Sequence, residues 1–295
     1  MENEEQNPHV HKGLKKGLYL IPSAFTAANI GMGFLAVLSS LRGFQLVAAY
    51  PEQAAVYFDY AARALGFAIL FDTLDGRVAR MTRTSTEIGV QLDSLADVLT
   101  FGIAPTILAY SWAIGATFPE NSSIHNIGLF VLFMYLMCGT FRLARFNLQA
   151  MRPRVLMEGA PKIDKKSFVG LPIPLAAGLL ASIVHFSPRP LSIYGENLAH
   201  FYSILLMILL AGLGLLMVST IRYTSFKNIG TSRRSIYLIL IIAAVGMSIW
   251  LYSRYVLLLM TTTYVSHGLV NYFLGFLRTP KNKIEPHEEQ IDITS

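Results

Sequence analysis

Charge is scarce in this chain. Asp, Glu, Lys and Arg together make up 14% of its 295 residues, against 53% hydrophobic ones, and mean hydropathy is +0.48. A soluble domain carries roughly a quarter of charged residues, so this balance argues against one and for a polytopic membrane protein. Cysteine is scarcer still: Cys138 stands alone in an apolar run. That excludes an intrachain disulfide and leaves packing as its reading. No cleavable leader is evident either, because the polar start, Met1 to Lys16, leads into an apolar run long enough to span. The first span is therefore expected to stay. No fixed-period repeat is visible, and low-complexity sequence is confined to the polar ends.

What is present is a series of apolar runs. Spans of roughly 20 apolar residues are expected at Tyr19 to Leu41, Ala54 to Leu74, Val90 to Trp112, Asn126 to Leu148, Phe168 to Phe186, His200 to Thr220, Ile236 to Tyr252 and Val256 to Phe276. The expected fold is an all-α integral membrane protein with about eight transmembrane helices. Arg254 and the run Thr261 to Thr263 leave a tight outer turn between the last two, or else one long re-entrant helix.

The formal charge of +6 is less informative than where the basic residues fall. Of 24 Lys and Arg, 20 lie in segments that share one side if the N terminus is inside. Cytoplasmic segments are enriched in such residues, so both termini are expected there, and no nucleic-acid partner is implied. The loop from Met151 to Lys166, with five basic residues, is expected on the membrane surface among anionic phospholipid head groups. The tail 278–295 and the segment 1–17 read as polar extensions.

Against this background the stretch from Asp72 to Asp97 stands out. It reads Asp72-Thr-Leu-Asp75-Gly76-Arg77-Val-Ala79-Arg80 and continues through Thr86 and Gly89 to Asp93 and Asp97. On a helix advancing about 100° per residue, Asp72 and Asp75 share one face, as do Gly89, Asp93 and Asp97. The acids lie at the cytoplasmic ends of the second and third spans, so four carboxylates converge. Unpaired, they repel one another, and divalent cations that favour oxygen ligands, Mg²⁺ or Mn²⁺, would neutralise them. A pair of such ions suits displacement at phosphorus. Gly76 and Gly89 leave room for a ligand, and Arg80 offers a fork to a phosphate. Taken singly, each of these residues also has a structural reading in helix packing or charge neutralisation. Asp59 and Arg63, four apart, read as an internal ion pair.

The pattern Asp-x2-Asp-Gly-x2-Ala-Arg-x8-Gly-x3-Asp-x3-Asp, complete here, resembles the signature of the CDP-alcohol phosphatidyltransferase family. That resemblance implies that a CDP-activated lipid loses CMP to a hydroxyl acceptor. It makes Asp72, Asp75, Asp93 and Asp97 metal ligands for two ions, with Asp97 also the general base. It implies CDP contacts from Gly76, Arg80, Thr86 and Gly89, joined by an element on the first helix. This chain reads Pro22-Ser23-Ala-Phe-Thr26 with Asn29 following, and Ser23 departs from the usual Asn. Thr26 and Asn29 also have a reading as interhelical hydrogen-bonding groups.

Three further stretches, Gln91 to Asp97, Phe141 to Asn147 and Phe168 to Pro174, look like bacterial and archaeal phosphatidylserine synthases. The resemblance covers about residues 18–185, taken as the catalytic core, with 186–277 as additional helices. It implies CDP-diacylglycerol and L-serine as substrates, a homodimer, and a place in the inner membrane of a prokaryote. Free serine brings a carboxylate, and Arg142 and Arg145 can hold it, with Asn147 adding an amide. Those two arginines equally suit marking the inner helix end or binding lipid phosphate. Pro172 and Pro174 read as shaping the entrance of the fifth helix. The alternative acceptors are glycerol 3-phosphate, an inositol phosphate or choline. An ion-coupled transporter would need midplane charges and inverted repeats, which are not seen. A scaffold would leave the acids without a purpose.

Overall fold

The computed structural model describes residues 10–82, 87–151, 167–219, 221–224 and 235–278, with side chains for 24–78, 81, 88–148, 170–219, 221, 244–268 and 270. Helix α1 is Val10–Leu46, α2 is Pro51–Thr82, α4 is Ser123–Met151, α5 is Ile173–Phe186, α6 is Glu196–Val218 and α7 is Ser235–Arg278. Helix α3 begins as Glu87–Asp97 and continues through π-helical Val98–Ile103, α-helical Ala104–Ala109, π-helical Tyr110–Ile114 and a last turn, Gly115–Thr117. Two short strands, β1 (Ser167–Val169) and β2 (Arg222–Thr224), pair antiparallel with Phe168 opposite Tyr223. Among the described residues six helices are long and apolar enough to cross a membrane. The chain is an integral membrane protein.

Helix α2 shows how the sequence builds the bundle. Ala54, Phe58, Ala61, Leu65 and Ala68 are all fully buried, and they recur in alternating steps of four and three, which keeps them on one seam. The seam is rich in alanine because lipid gives helices little hydrophobic reason to associate, so close backbone approach has to supply the contact. The next two steps of the same rhythm are Asp72 and Asp75. The face that locks α2 into the bundle therefore carries the acids inward at its end.

Helix α1 meets α3 at an even closer approach. A Cβ on Gly33 would lie 2.5 Å from Thr100 Oγ1 and 3.0 Å from Thr100 Cα, and the Thr100 hydroxyl donates to the Asn29 carbonyl at 3.3 Å. Only glycine fits there. Gly33→Ala is expected to destabilise the protein by about 1–3 kcal/mol, whereas Gly31→Ala, whose Cβ would meet nothing within 4 Å, is expected to be neutral. Unfolding in detergent, followed by helix signal, checks the pair, and equal stability of the two variants would contradict the contact.

The third helix widens directly after Asp97. Ala104 N–H bonds to the Leu99 carbonyl, five residues back, and Tyr135, fully buried on α4, donates its hydroxyl to the Phe101 carbonyl at 3.3 Å. Pro105 has no N–H to offer the Phe101 carbonyl four residues back, and Tyr135 supplies that donor instead. Cys138, also on α4, packs with its Sγ 3.5 Å from where a Gly214 Cβ would be, in agreement with a packing role.

Three of the expected spans, the fifth, seventh and eighth, form differently. The fifth was placed from Phe168, but residues 167–169 are strand β1 and the helix starts only at Ile173. Gly170 has φ +81, and a side chain there would collide with the Met217 carbonyl. Pro172 then caps the helix in an extended conformation, with Pro174 in its first turn. The resulting α5, 14 residues with ten of them buried, is about 21 Å long. That is shorter than the hydrocarbon core, and its burial places α5 at the centre of the bundle.

The seventh and eighth spans fall on one element, α7, interrupted at Tyr252 (φ −133, ψ 42). No glycine or proline lies between Gly246 and Gly268 to make an open turn, so the break is confined to one residue. Beyond it the helix runs antiparallel to α5, with Ser253 on His185 (2.9 Å) and Thr261 on Ser182 (2.9 Å). The loop 152–166, residues 1–9 and the tail 279–295 lie outside the described residues.

Candidate active site

The last turns of α2 and the first turns of α3 bring the acids together. One carboxylate oxygen each of Asp72, Asp93 and Asp97 lies within 4.8 Å of the others. Asp97 is 8% exposed, and its Oδ1 has no hydrogen-bond partner among the described residues. A buried acceptor left without a donor is costly unless a ligand completes it. Three hard oxygen donors at this separation suit a divalent cation, so the cluster can hold one.

Asp75 behaves differently from the other three. It lies one turn beyond Asp72 and is buried, and it accepts a hydrogen bond from the hydroxyl of Thr26 on α1. It is therefore outside the group of three, held by α1 instead. Asn29, one turn along α1, is 1% exposed, and neither atom of its amide finds a partner among the described residues. Thr26 and Asn29 thus form a polar strip on α1 beside the carboxylates. Gly76 is half-buried and Gly89 exposed. Ser23 and Arg80 lie on helical backbone with side chains outside the described set, and Thr86 is outside it entirely.

The three residues expected to hold the acceptor go to different places. Arg142 is half-buried, within electrostatic reach of Asp97 and Tyr264, and its Nε is buried without a partner among the described residues. Arg145 donates from Nη1 to the Val218 carbonyl at 3.4 Å, which sets it against the end of α6. Asn147 donates to Ser94 Oγ at 2.7 Å, and Ser94 in turn donates to the Val90 carbonyl. It ties α4 to α3 beside Asp93. Of the three, only Arg142 faces the carboxylates.

A second polar cluster has only one half visible in the spacing. Asp59 and Arg63 do pair, at 2.6 Å, but Asp59 Oδ1 also meets His185 Nδ1 at 2.5 Å, and His185 Nε2 meets Ser253 Oγ at 2.9 Å. The chain Asp59–His185–Ser253 links α2, α5 and α7. His185 is 126 residues from Asp59, and the one available signal was a histidine near the end of an apolar helix.

Residues 19–215 match the family model described as CDP-alcohol phosphatidyltransferase. The chain belongs to that family. It is 33% identical over 224 residues to the CDP-diacylglycerol–serine O-phosphatidyltransferase of Helicobacter pylori, covering 76% of this chain and 80% of that protein. The protein of the same name from Methanocaldococcus jannaschii is 30% identical over 85% of this chain and 92% of its own. For that of Bacillus subtilis the identity is 33%, over 70% and 92%.

Proposed function

We propose that this chain transfers the phosphatidyl group of CDP-diacylglycerol to the hydroxyl of L-serine, giving phosphatidylserine and CMP. The observation that carries the reading is the convergence of Asp72, Asp93 and Asp97 around an unpartnered Asp97 oxygen with Arg142 in reach. The names of the similar proteins point to the same acceptor.

In this reading Asp97 accepts the proton of the serine hydroxyl as its oxygen bonds to the lipid-linked phosphorus. The bond from that phosphorus to the CMP phosphate oxygen breaks, and CMP leaves with the electron pair. Asp72, Asp93 and Asp97, joined by Asp75, would hold divalent metal, Mg²⁺ or Mn²⁺ and two ions in all. Such ions, when bound, supply charge compensation to the pyrophosphate. Thr26 fixes the rotamer of Asp75, and the orphaned amide of Asn29 offers a donor and an acceptor to the CDP portion. Ser23, Gly76, Arg80, Thr86 and Gly89 complete that contact. Arg142 holds the serine carboxylate.

The bias of Lys and Arg supports a site facing the cytoplasm with both termini on that side. The stretch from Ser253, at the His185 end of α5, to Tyr264, near Arg142, traverses the bundle. The part of α7 before Tyr252 then supplies a further crossing, which brings the count to eight with the short α5 included. A homodimer completes the assembly.

Purified protein given CDP-diacylglycerol and Mg²⁺ or Mn²⁺ is expected to release CMP when L-serine is added. Glycerol 3-phosphate, inositol phosphate and choline are expected to leave release at background. CMP release with one of these and none with serine would overturn the acceptor.

A further inference from the structure

Four basic residues break the charge bias of the chain: Arg42, Arg63, Arg189 and Arg254. They are not scattered. Three of them, Arg63, Arg189 and Arg254, line one cleft of about 610 Å³. The cleft lies at the start of α2 and just past the end of α5. Asp59, in its wall, precedes Asp72 by 13 residues on one helix, or about 20 Å. It is thus at the end of the bundle away from the carboxylate cluster.

The charges in the cleft do not cancel. Arg63 takes one oxygen of Asp59 at 2.6 Å, His185 takes the other at 2.5 Å, and Arg189 pairs with Glu52 at 3.1 Å. Arg254 is exposed and makes no hydrogen bond or ion pair among the described residues, although it lies within electrostatic reach of Asp59. Three guanidinium groups thus face two carboxylates, both already engaged. The position of Arg254 is also enforced. Its neighbour Ser253 is held by His185, at the break in α7 beside Tyr252, so the buried Asp59–His185–Ser253 chain fixes where this surplus charge sits.

The depth of the cleft points to its ligand. Tyr60, Tyr194 and Phe186 line it and remain 52%, 38% and 43% exposed. Exposed Tyr side chains gather at the level of lipid head groups, where an apolar ring and a polar tip are both satisfied. A guanidinium fork left over at that level matches two oxygens of a phosphodiester. One such group carries the single negative charge that the cleft lacks. The volume is in the range of sites for small organic groups.

We propose that the cleft of Arg63, Arg189 and Arg254 binds the phosphodiester of a phospholipid head group, at the membrane face opposite the carboxylate cluster. The site is independent of the transfer reaction. Lipid-stripped protein in detergent is titrated with phosphatidylglycerol, and retained lipid is counted by native mass spectrometry for wild type, Arg254→Gln and Arg254→Lys. Arg254→Gln is expected to lower retention of one lipid by roughly tenfold, the usual worth of a charge-assisted bond, and Arg254→Lys by less. Because Arg254 has no bonded partner to lose among the described residues, unfolding of Arg254→Gln without lipid is expected to match wild type, separating a lost ligand from a lost fold. Equal lipid retention by wild type and Arg254→Gln would overturn the site. Displacement of the lipid by inorganic phosphate at equal concentration would overturn the lipid assignment in favour of a free anion.

Discussion

Replacing Asp97 by Asn is expected to lower serine-dependent CMP release by about 10²–10⁴-fold, the range contributed by a positioned general base. The exchange keeps the shape of the side chain and removes its ability to take a proton. Asp97 is buried, its Oδ1 is unpartnered among the described residues, and it precedes the widened turn of α3. The substitution therefore acts on one atom rather than on the fold. Asp72, Asp93 and Asp75 remain, so binding of Mn²⁺ and of CDP-diacylglycerol is expected to be largely retained. Single-turnover CMP release read beside Mn²⁺ binding distinguishes the two duties proposed for Asp97. Turnover at the wild-type rate would remove the base role. Loss of Mn²⁺ binding in step with turnover would reduce Asp97 to a metal ligand.

That prediction rests on the part of the site most legible in the sequence. Helical period alone put Asp72 with Asp75 and Asp93 with Asp97, and the alternating rhythm of Ala54 to Ala68 carries the first pair into the bundle. Local periodicity does not say which residues on a face find a partner. Asp75 looked equivalent to Asp72, but α1 approaches closely enough for Thr26 to claim it. Arg142 and Arg145 sit one turn apart and are chemically identical, and only the end of α6 separates their roles. His185 and Ser253 meet Asp59 from helices far along the chain, which no spacing rule reaches.

The errors at helix boundaries have local causes. Apolar content carried the fifth span back to Phe168, although Gly170, Pro172 and Pro174 were readable stop and start signals. Hydropathy measures transfer to lipid, and it does not register that the three-residue segment Ser167–Val169 bonds to another strand. The widening of α3 after Asp97 had a signal of the same kind in Gly102 and Pro105, which mark an irregular helix without saying that it widens. The tyrosine from α4 that satisfies the Phe101 carbonyl lies beyond any local pattern.

Arg142→Gln is expected to raise the KM for serine by about 10–100-fold while leaving the KM for CDP-diacylglycerol near its wild-type value. A charge-assisted hydrogen bond to a carboxylate contributes about 1.5–3 kcal/mol, and about 1.4 kcal/mol corresponds to a factor of ten. The buried Nε is a donor without a protein acceptor among the described residues, and Asp97, the proposed base, lies within its electrostatic reach. Arg142→Lys is expected to recover part of the loss, because it keeps the charge and loses the planar fork. Arg145→Gln is the internal comparison. Its guanidinium meets the Val218 carbonyl, so its loss is expected to lower stability with little change in the serine KM. A rise in the CDP-diacylglycerol KM instead of the serine KM would assign Arg142 to lipid phosphate. A fall in stability with both KM values unchanged would make it a structural residue and leave the serine carboxylate without its cation.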